Sequence, residues 1–208
     1  VSNRPGSLNI CPVKDHTVDT TRIFDFQFNS EDQYILEFGE LYMRVIRNDA
    51  LVTNTGINIT GATQADPVVI TNAGHSYSNG DDIFIEGVVG MTELNGKFYT
   101  VQNVTGTTME LTDQVTGVDI DGSAYTAWSS GGTTADVFEL TTPYAASDLD
   151  KLKMVQSADT ITITHPSYAP RDLTRTGHTA WTLTVITYVP GVEGPTGLSV
   201  TVNTTGTN

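Results

Sequence analysis

Residues 23–45, IFDFQFNSEDQYILEFGELYMRV, constrain this chain more than any other stretch. Apolar side chains recur at every second position, the period of a pleated strand rather than of a helix. Phe24, Phe26 and Phe28 alternate with Ile23, Asp25 and Gln27; Tyr34, Leu36 and Phe38 share one face, and Leu41, Met43 and Val45 share another. The spacing predicts a three-strand antiparallel meander with a Gly39–Glu40 turn and one apolar side. Three strands are too few to close a core. Something else must cover that side, and the expected cover is a second meander, with further blades or a neighbouring subunit beyond it.

The second meander lies far downstream. MVQSADTITITH, 154–165, reads as strand, Ala158–Asp159 turn, strand; Trp181, Leu183 and Val185 then alternate in a third long strand, 180–189. Between the two meanders, residues 57–136 are richer in Gly, Thr and Asn and break into short strands. Asn79–Gly80 and Asn95–Gly96 favour left-handed turns there, and strands this short suit a small barrel of about 75 residues. DVFEL, 136–140, reads as the strand that re-enters the outer sheet. Only AASDLDKLK, 145–153, looks helical, with Ser147 as its cap and Asp148 in its first turn. The expected fold is therefore all-β. Antiparallel meanders at 1–56 and 137–189 form a discontinuous propeller-like or sandwich body, with an inserted small β-barrel at 57–136. Residues 190–208 read as a linker and the start of a further β domain.

The 208 residues carry 24 acidic against 10 basic side chains, a formal charge of −14. Phosphate would be repelled, so adhesion to nucleic acid is a poor fit. The single cysteine, Cys11, cannot close a disulfide within the chain. His16, His75, His165 and His178 lie far apart and show no metal-ligand spacing. No apolar run approaches the ~20 residues of a membrane helix, and no secretory signal is evident. The chain opens at Val1 without Met, which fits a fragment or a processed product.

Few residues invite a chemical role. His75, Ser76, Ser78, Asp81 and Asp82 could supply a nucleophile, a base and an orienting group, but these types are expected in a turn for backbone reasons. Asp119 and Asp121 before Gly122 resemble the start of a calcium loop, yet Ser123 and Ser130 stand where further ligands are needed. Trp128 allows sugar stacking, although packing is the expected role; Trp181 reads as core. Arg22, Arg44, Arg47, Arg171 and Arg175 could touch phosphates or pair with nearby acids, and Arg4 suits a turn at Pro5–Gly6. No catalytic, cofactor-binding or metal-binding residue is nominated, and no enzymatic activity or cofactor is expected.

Two longer patterns carry a resemblance. Residues 59–111, ITGATQADPVVITNAGHSYSNGDDIFIEGVVGMTELNGKFYTVQNVTGTTMEL, resemble a small β module of bacteriophage structural proteins, similar to the first catalytic-cysteine half-domain of ubiquitin-activating enzymes. The enzyme association does not carry over, because Cys11 lies outside the module. SNRPGS, TRIFDFQFNSEDQYILEFGELYMRV and TTPYAASDLDKLKMVQSADTITITHPSYAPRDLTRTGHTAWTL resemble phage tail proteins of the hub and nozzle group. That resemblance implies a structural virion protein below the portal, assembled as a homo-oligomeric ring. It would join a portal-side adaptor to distal tail proteins, and DNA would pass through without specific binding. It further implies location in the virion, and in the host cytoplasm during assembly, with no membrane span. The alternative expectation is a host-surface-binding tail adhesin.

Overall fold

The structure, a computed structural model, describes residues 11–14, 20–29, 32–188 and Gly197. Arg4, His16 and the expected strand within 190–208 lie outside the described residues. The fold is all-β, built from antiparallel sheets, one of them curled like half a barrel. Among the described residues, no helix is long and apolar enough to cross a membrane.

The opening meander forms as three strands: β1 (Arg22–Gln27), β2 (Gln33–Gly39) and β3 (Tyr42–Arg47). Register places Phe24 opposite Leu36, Phe26 opposite Tyr34, Phe38 opposite Met43 and Leu36 opposite Val45. All of these therefore point to one side. Leu41 does not join them. It occupies the turn at φ 60°, and it and Phe28, just beyond β1, are exposed. Gly39 is required where it stands: a Cβ would lie 2.2 Å from the ring of Tyr42, which crosses over it.

Chain order continues through β4 (Ala50–Leu51), β5 (Ile57–Asn58), β6 (Gly61–Ala62), β7 (Val69–Thr71), β8 (Asp82–Val89), β9 (Lys97–Gln102), β10 (Thr108–Thr112), β11 (Ser130–Asp136) and β12 (Glu139–Thr141). Strands β5 to β11 make a seven-stranded sheet in the order β5-β11-β8-β9-β10-β7-β6. Its two ends are the same run of chain. Ile59 N–H donates to Gly132 O on β11, and Thr60 N–H donates to Thr71 O on β7, so the curl is tied at its seam. Inside lies a separate core of Ile70, Ile83, Ile85, Met91, Leu94, Val101, Met109 and their neighbours. The asparagine turns form as their chemistry requires. Gly80 and Gly96 take positive φ, Asn79 Oδ1 accepts from Val104 N–H, and Asn95 brackets both backbone groups of Val88 at 2.8 Å.

β12 re-enters the first sheet by pairing with β3. A short 3-10 helix, Ala146–Lys151, follows. Ser147 does not cap it. Ala145 holds the cap position without a side-chain bond, and Glu40 reaches across from the β2–β3 turn to accept from Ala146 N–H at 2.6 Å. Then come β13 (Lys153–Ser157), β14 (Thr160–His165), β15 (Tyr168–Gly177) and β16 (Ala180–Val185), a four-stranded meander in chain order. β15, which the alternation reading passes over, is its longest strand. Pro170 turns its backbone toward the end of β16, where its O accepts from Ile186 N–H, so its missing N–H falls beyond the last paired residue, Val185, and costs little.

The two outer sheets face each other across one core. Phe26, Tyr34, Leu36, Phe38, Met43 and Val45 pack with Leu149, Leu152, Ile161, Ile163, Leu173 and Trp181. The Trp181 ring meets Phe26 edge-on at 5.0 Å and Tyr34 at 5.7 Å. Thus the second meander covers the first, as in a sandwich.

Candidate functional site

The outer face of the opening meander, opposite its apolar side, should by simple alternation be wet. Instead it buries charge. Glu37 lies directly opposite Arg44 across the β2–β3 pair, and both are about 2% exposed. Arg44 Nη1 pairs with Asp82 of β8 at 2.9 Å, and its Nε pairs with Glu139 of β12 at 3.1 Å. Lys14 closes the other side of Glu139, 2.8 Å from each carboxylate oxygen. Tyr42 donates its hydroxyl to Glu37 at 2.8 Å. Burial pushes the Glu37 carboxyl above its ordinary value, while Tyr42 and Arg44 pull against that. Burial also penalises the Arg44 cation, but Asp82 and Glu139 outweigh it and hold the guanidinium charged.

This seam joins the sandwich to the barrel. Beside it the two crossings of the chain run antiparallel: Thr53 bridges Val137, Asn54 N–H donates to Asp136 O, and Val137 N–H donates to Asp82 O. A small apolar cluster of Ile46, Leu51 and Val137, with Cys11 and Phe98 against it, fills the remaining contact. A cleft of about 150 Å³ opens here between Lys14, Arg44, Asp81, Asp82, Asp136 and Glu139. Its two cations, Lys14 and Arg44, are already engaged by carboxylates, so the geometry suits a strut and offers no vacant charge to an anionic ligand.

Cys11 borders the seam. Burial, with repulsion from Glu37 adding to it, pushes the thiol up to about 11. The nucleophilic thiolate is therefore scarce at neutral pH. Alkylation of the native protein by iodoacetamide at pH 8 is expected to run ~100-fold slower than that of an unperturbed thiol, and to recover in urea. A native rate within about threefold of the denatured rate would contradict this environment.

The other residues singled out by sequence are placed as follows. His75 stacks on Tyr77 at 5.1 Å and its Nδ1 accepts from Tyr77 N–H. Asp81 accepts from Ser78 N–H at 2.7 Å, and Asp82 turns away to Arg44 and the Thr100 hydroxyl. Among the described residues, no hydrogen bond joins His75 to Ser76 or Ser78, so a triad is not assembled. Asp121 accepts from Ser123 N–H and hydroxyl, a turn interaction that holds its carboxyl below the usual range. Asp119 instead borders an acidic cleft of about 660 Å³ with Asp82, Glu110 and Asp113. Ser130 begins β11. No cluster of three metal-ligating side chains occurs among the described residues.

The arginines are mostly taken by their own chain. Arg22 donates to three carbonyls, of Leu149, Asp150 and Leu152, at 2.8 to 3.0 Å. Arg47 pairs with Asp32 at 2.8 Å, which lowers that carboxyl. Arg175 donates to the Tyr34 hydroxyl and stacks over the Phe28 and Tyr34 rings. Arg171 lies in β15 with its Nε buried and unbonded. Trp128 is half-buried against the barrel core and donates to Gly131 O at 3.1 Å.

The seam residues Lys14, Glu37, Tyr42 and Glu139 escape a linear reading. The one available signal is that Glu37 and Arg44 occupy the same face as Ile35 and Ile46, a mixture that a purely solvated face does not need. No protein-family model matches this chain, and no curated protein matches it.

Proposed function

We propose that this chain is a structural component of a bacteriophage tail, of the hub and nozzle kind, working in a ring around a DNA passage. The observation that carries the reading is the use made of buried charge. Arg44, Asp82 and Glu139 hold a sandwich to an inserted barrel, which is a mechanical task. The resemblance of residues 2–7, 21–45 and 141–183 supplies the class. An acidic wall serves such a passage, because each immobilised cation would add a salt-dependent contact to phosphate. With four of its arginines engaged within the chain and a formal charge of −14, this protein would let duplex slide past.

Antibodies raised against the chain should decorate the tail end of virions; label confined to fractions without particles would refute the assignment. Filter binding at low salt should retain little duplex DNA, and tight retention would remove the passage from the proposal.

One observation favours a second reading, a host-surface-binding tail adhesin. The barrel carries an open groove of about 640 Å³ lined by Asn58, Glu86, Gly87, Gly131, Gly132 and Thr133. Its glycine floor would admit a flat ring. Binding of the whole chain to a glycan array, lost in Glu86→Ala, would favour this reading, and an array without signal would count against it.

A further inference from the structure

An open sheet edge is a row of unpaired backbone donors and acceptors, and proteins usually blunt it. Most edges here are managed. On β1, Gln156 accepts from Gln27 N–H and donates to Gln27 O at 2.7 Å. β4 and β12 are only two and three residues long. The curled sheet ties its own ends together. The four-stranded sheet differs: among the described residues, no strand pairs with the outer side of β13 or of β16.

The bonding phase of β16 can be read from one contact. Ile186 N–H donates to Pro170 O. In an antiparallel ladder, bonded and non-bonded pairs alternate. Thr184 and Thr182 then bond inward to Asp172 and Thr174, and the backbone groups of Trp181, Leu183 and Val185 point outward. The sheet has four strands in simple alternation, so β13 and β16 run in opposite directions. A copy placed with its β13 beside β16 of its neighbour continues the antiparallel ladder without a break.

We infer that β16 of one copy pairs head to tail with β13 of the next, extending this sheet between subunits. Charge decides where two copies of a −14 chain can approach. Residues 179–188 contain no charged side chain, and β13 carries only Lys153. The same two edges expose apolar side chains: Val155 at 71%, Val185 at 38% and Tyr188, just past β16, at 79%. With Lys153 as the single charge across both strands, and with no strand paired to either edge among the described residues, the edges suit each other rather than an acidic or basic partner. A contact between two different surfaces closes into a ring or runs on as a filament, according to its rotation. The inference deepens the ring in the function proposed above and rests on that reading for closure alone.

The test uses the whole chain with Val155→Lys and Val185→Lys, both at exposed positions, followed by light scattering over a concentration series. The wild type should form species larger than a dimer. Each variant alone should be monomeric. An equal mixture should give a dimer and nothing larger, because only one junction, β16 of the Val155→Lys copy with β13 of the Val185→Lys copy, stays intact. A wild type that remains monomeric at millimolar concentration overturns the inference. So does Val155→Lys dimerising alone, which would mean that β16 pairs with itself. Assembly that neither variant disturbs also overturns it while leaving a ring in place. Virion labelling tests the tail assignment independently of all these outcomes.

Discussion

Replacing Arg44 by Met is expected to cost about 3–5 kcal/mol of stability at neutral pH. Met fills most of the aliphatic space but leaves Asp82, Glu139 and Glu37 facing one another without their shared cation. Removing one member of a buried ion pair strands the other in low dielectric, and that penalty exceeds the net worth of the pair itself. The loss should depend on pH in a definite direction. Glu37 already titrates above its ordinary value because it is buried. Without Arg44 it titrates higher still. A carboxyl raised in the folded state destabilises the fold when ionised, and the penalty is relieved as pH falls through the folded value. The deficit should therefore be largest near pH 7 and shrink towards about pH 4. Urea unfolding at both pH values measures this, and Glu37→Gln in the Arg44→Met background should recover part of the loss. A deficit below about 1 kcal/mol, equal at both pH values, would show the seam to be no strut.

Trp181→Ala should be about as damaging, at roughly 3–5 kcal/mol, but its damage should fall elsewhere. The ring is 4% exposed and bridges the sheets by meeting both Phe26 and Tyr34. Ala leaves a cavity between two sheets whose backbones cannot collapse independently. Trp181→Phe keeps an aromatic contact and gives up the bond from Nε1 to His178 O, so it should cost only about 1–2 kcal/mol. The sequence supplies a convenient readout, since Trp128 sits against the barrel core and Trp181 in the sandwich core. In Trp181→Ala, fluorescence reports Trp128 alone. Its transition should stay near the wild-type denaturant midpoint while circular dichroism shows an earlier loss of the sandwich. Coincident early transitions by both probes would mean that the two cores fold as one unit.

The strands that sequence reveals best are those that bury one face beneath large side chains. β1, β2, β8 and β9 are of this kind, and their alternation survives in the burial of Phe26, Leu36, Ile83, Ile85 and Tyr99. β11 and β15 lack the signal for different physical reasons. β11 begins Ser-Gly-Gly, with Gly131 and Gly132 at positive φ, and becomes a strand because β8 and β5 bond it from either side. β15 contains Pro170, Arg171, Asp172 and Arg175. Its one fully aliphatic core contact is Leu173, and Arg175 is buried by lying over aromatic rings rather than by being apolar. The helix cap was equally invisible. Glu40 acts from 106 residues away, whereas a linear reading finds only the serine within the segment. The charged seam was the least legible feature. Alternation assigns Glu37 and Arg44 to one face correctly, but whether water or another part of the chain meets that face is decided by the position of Asp82, which no local pattern encodes.

The bridge between Thr53 and Val137 has a consequence for how such a protein can change over time. The barrel leaves and rejoins the sandwich at two points one strand spacing apart, about 5 Å. That is the gap a tight hairpin loop spans. The whole excursion between them is geometrically equivalent to a turn, so it could be shortened, exchanged or lost without moving β3 away from β12. The host sheet would register no more than a different loop. A lineage could thus try new appendages on an unchanged frame, provided that each replacement satisfied Arg44 and covered Ile46 and Leu51 afresh.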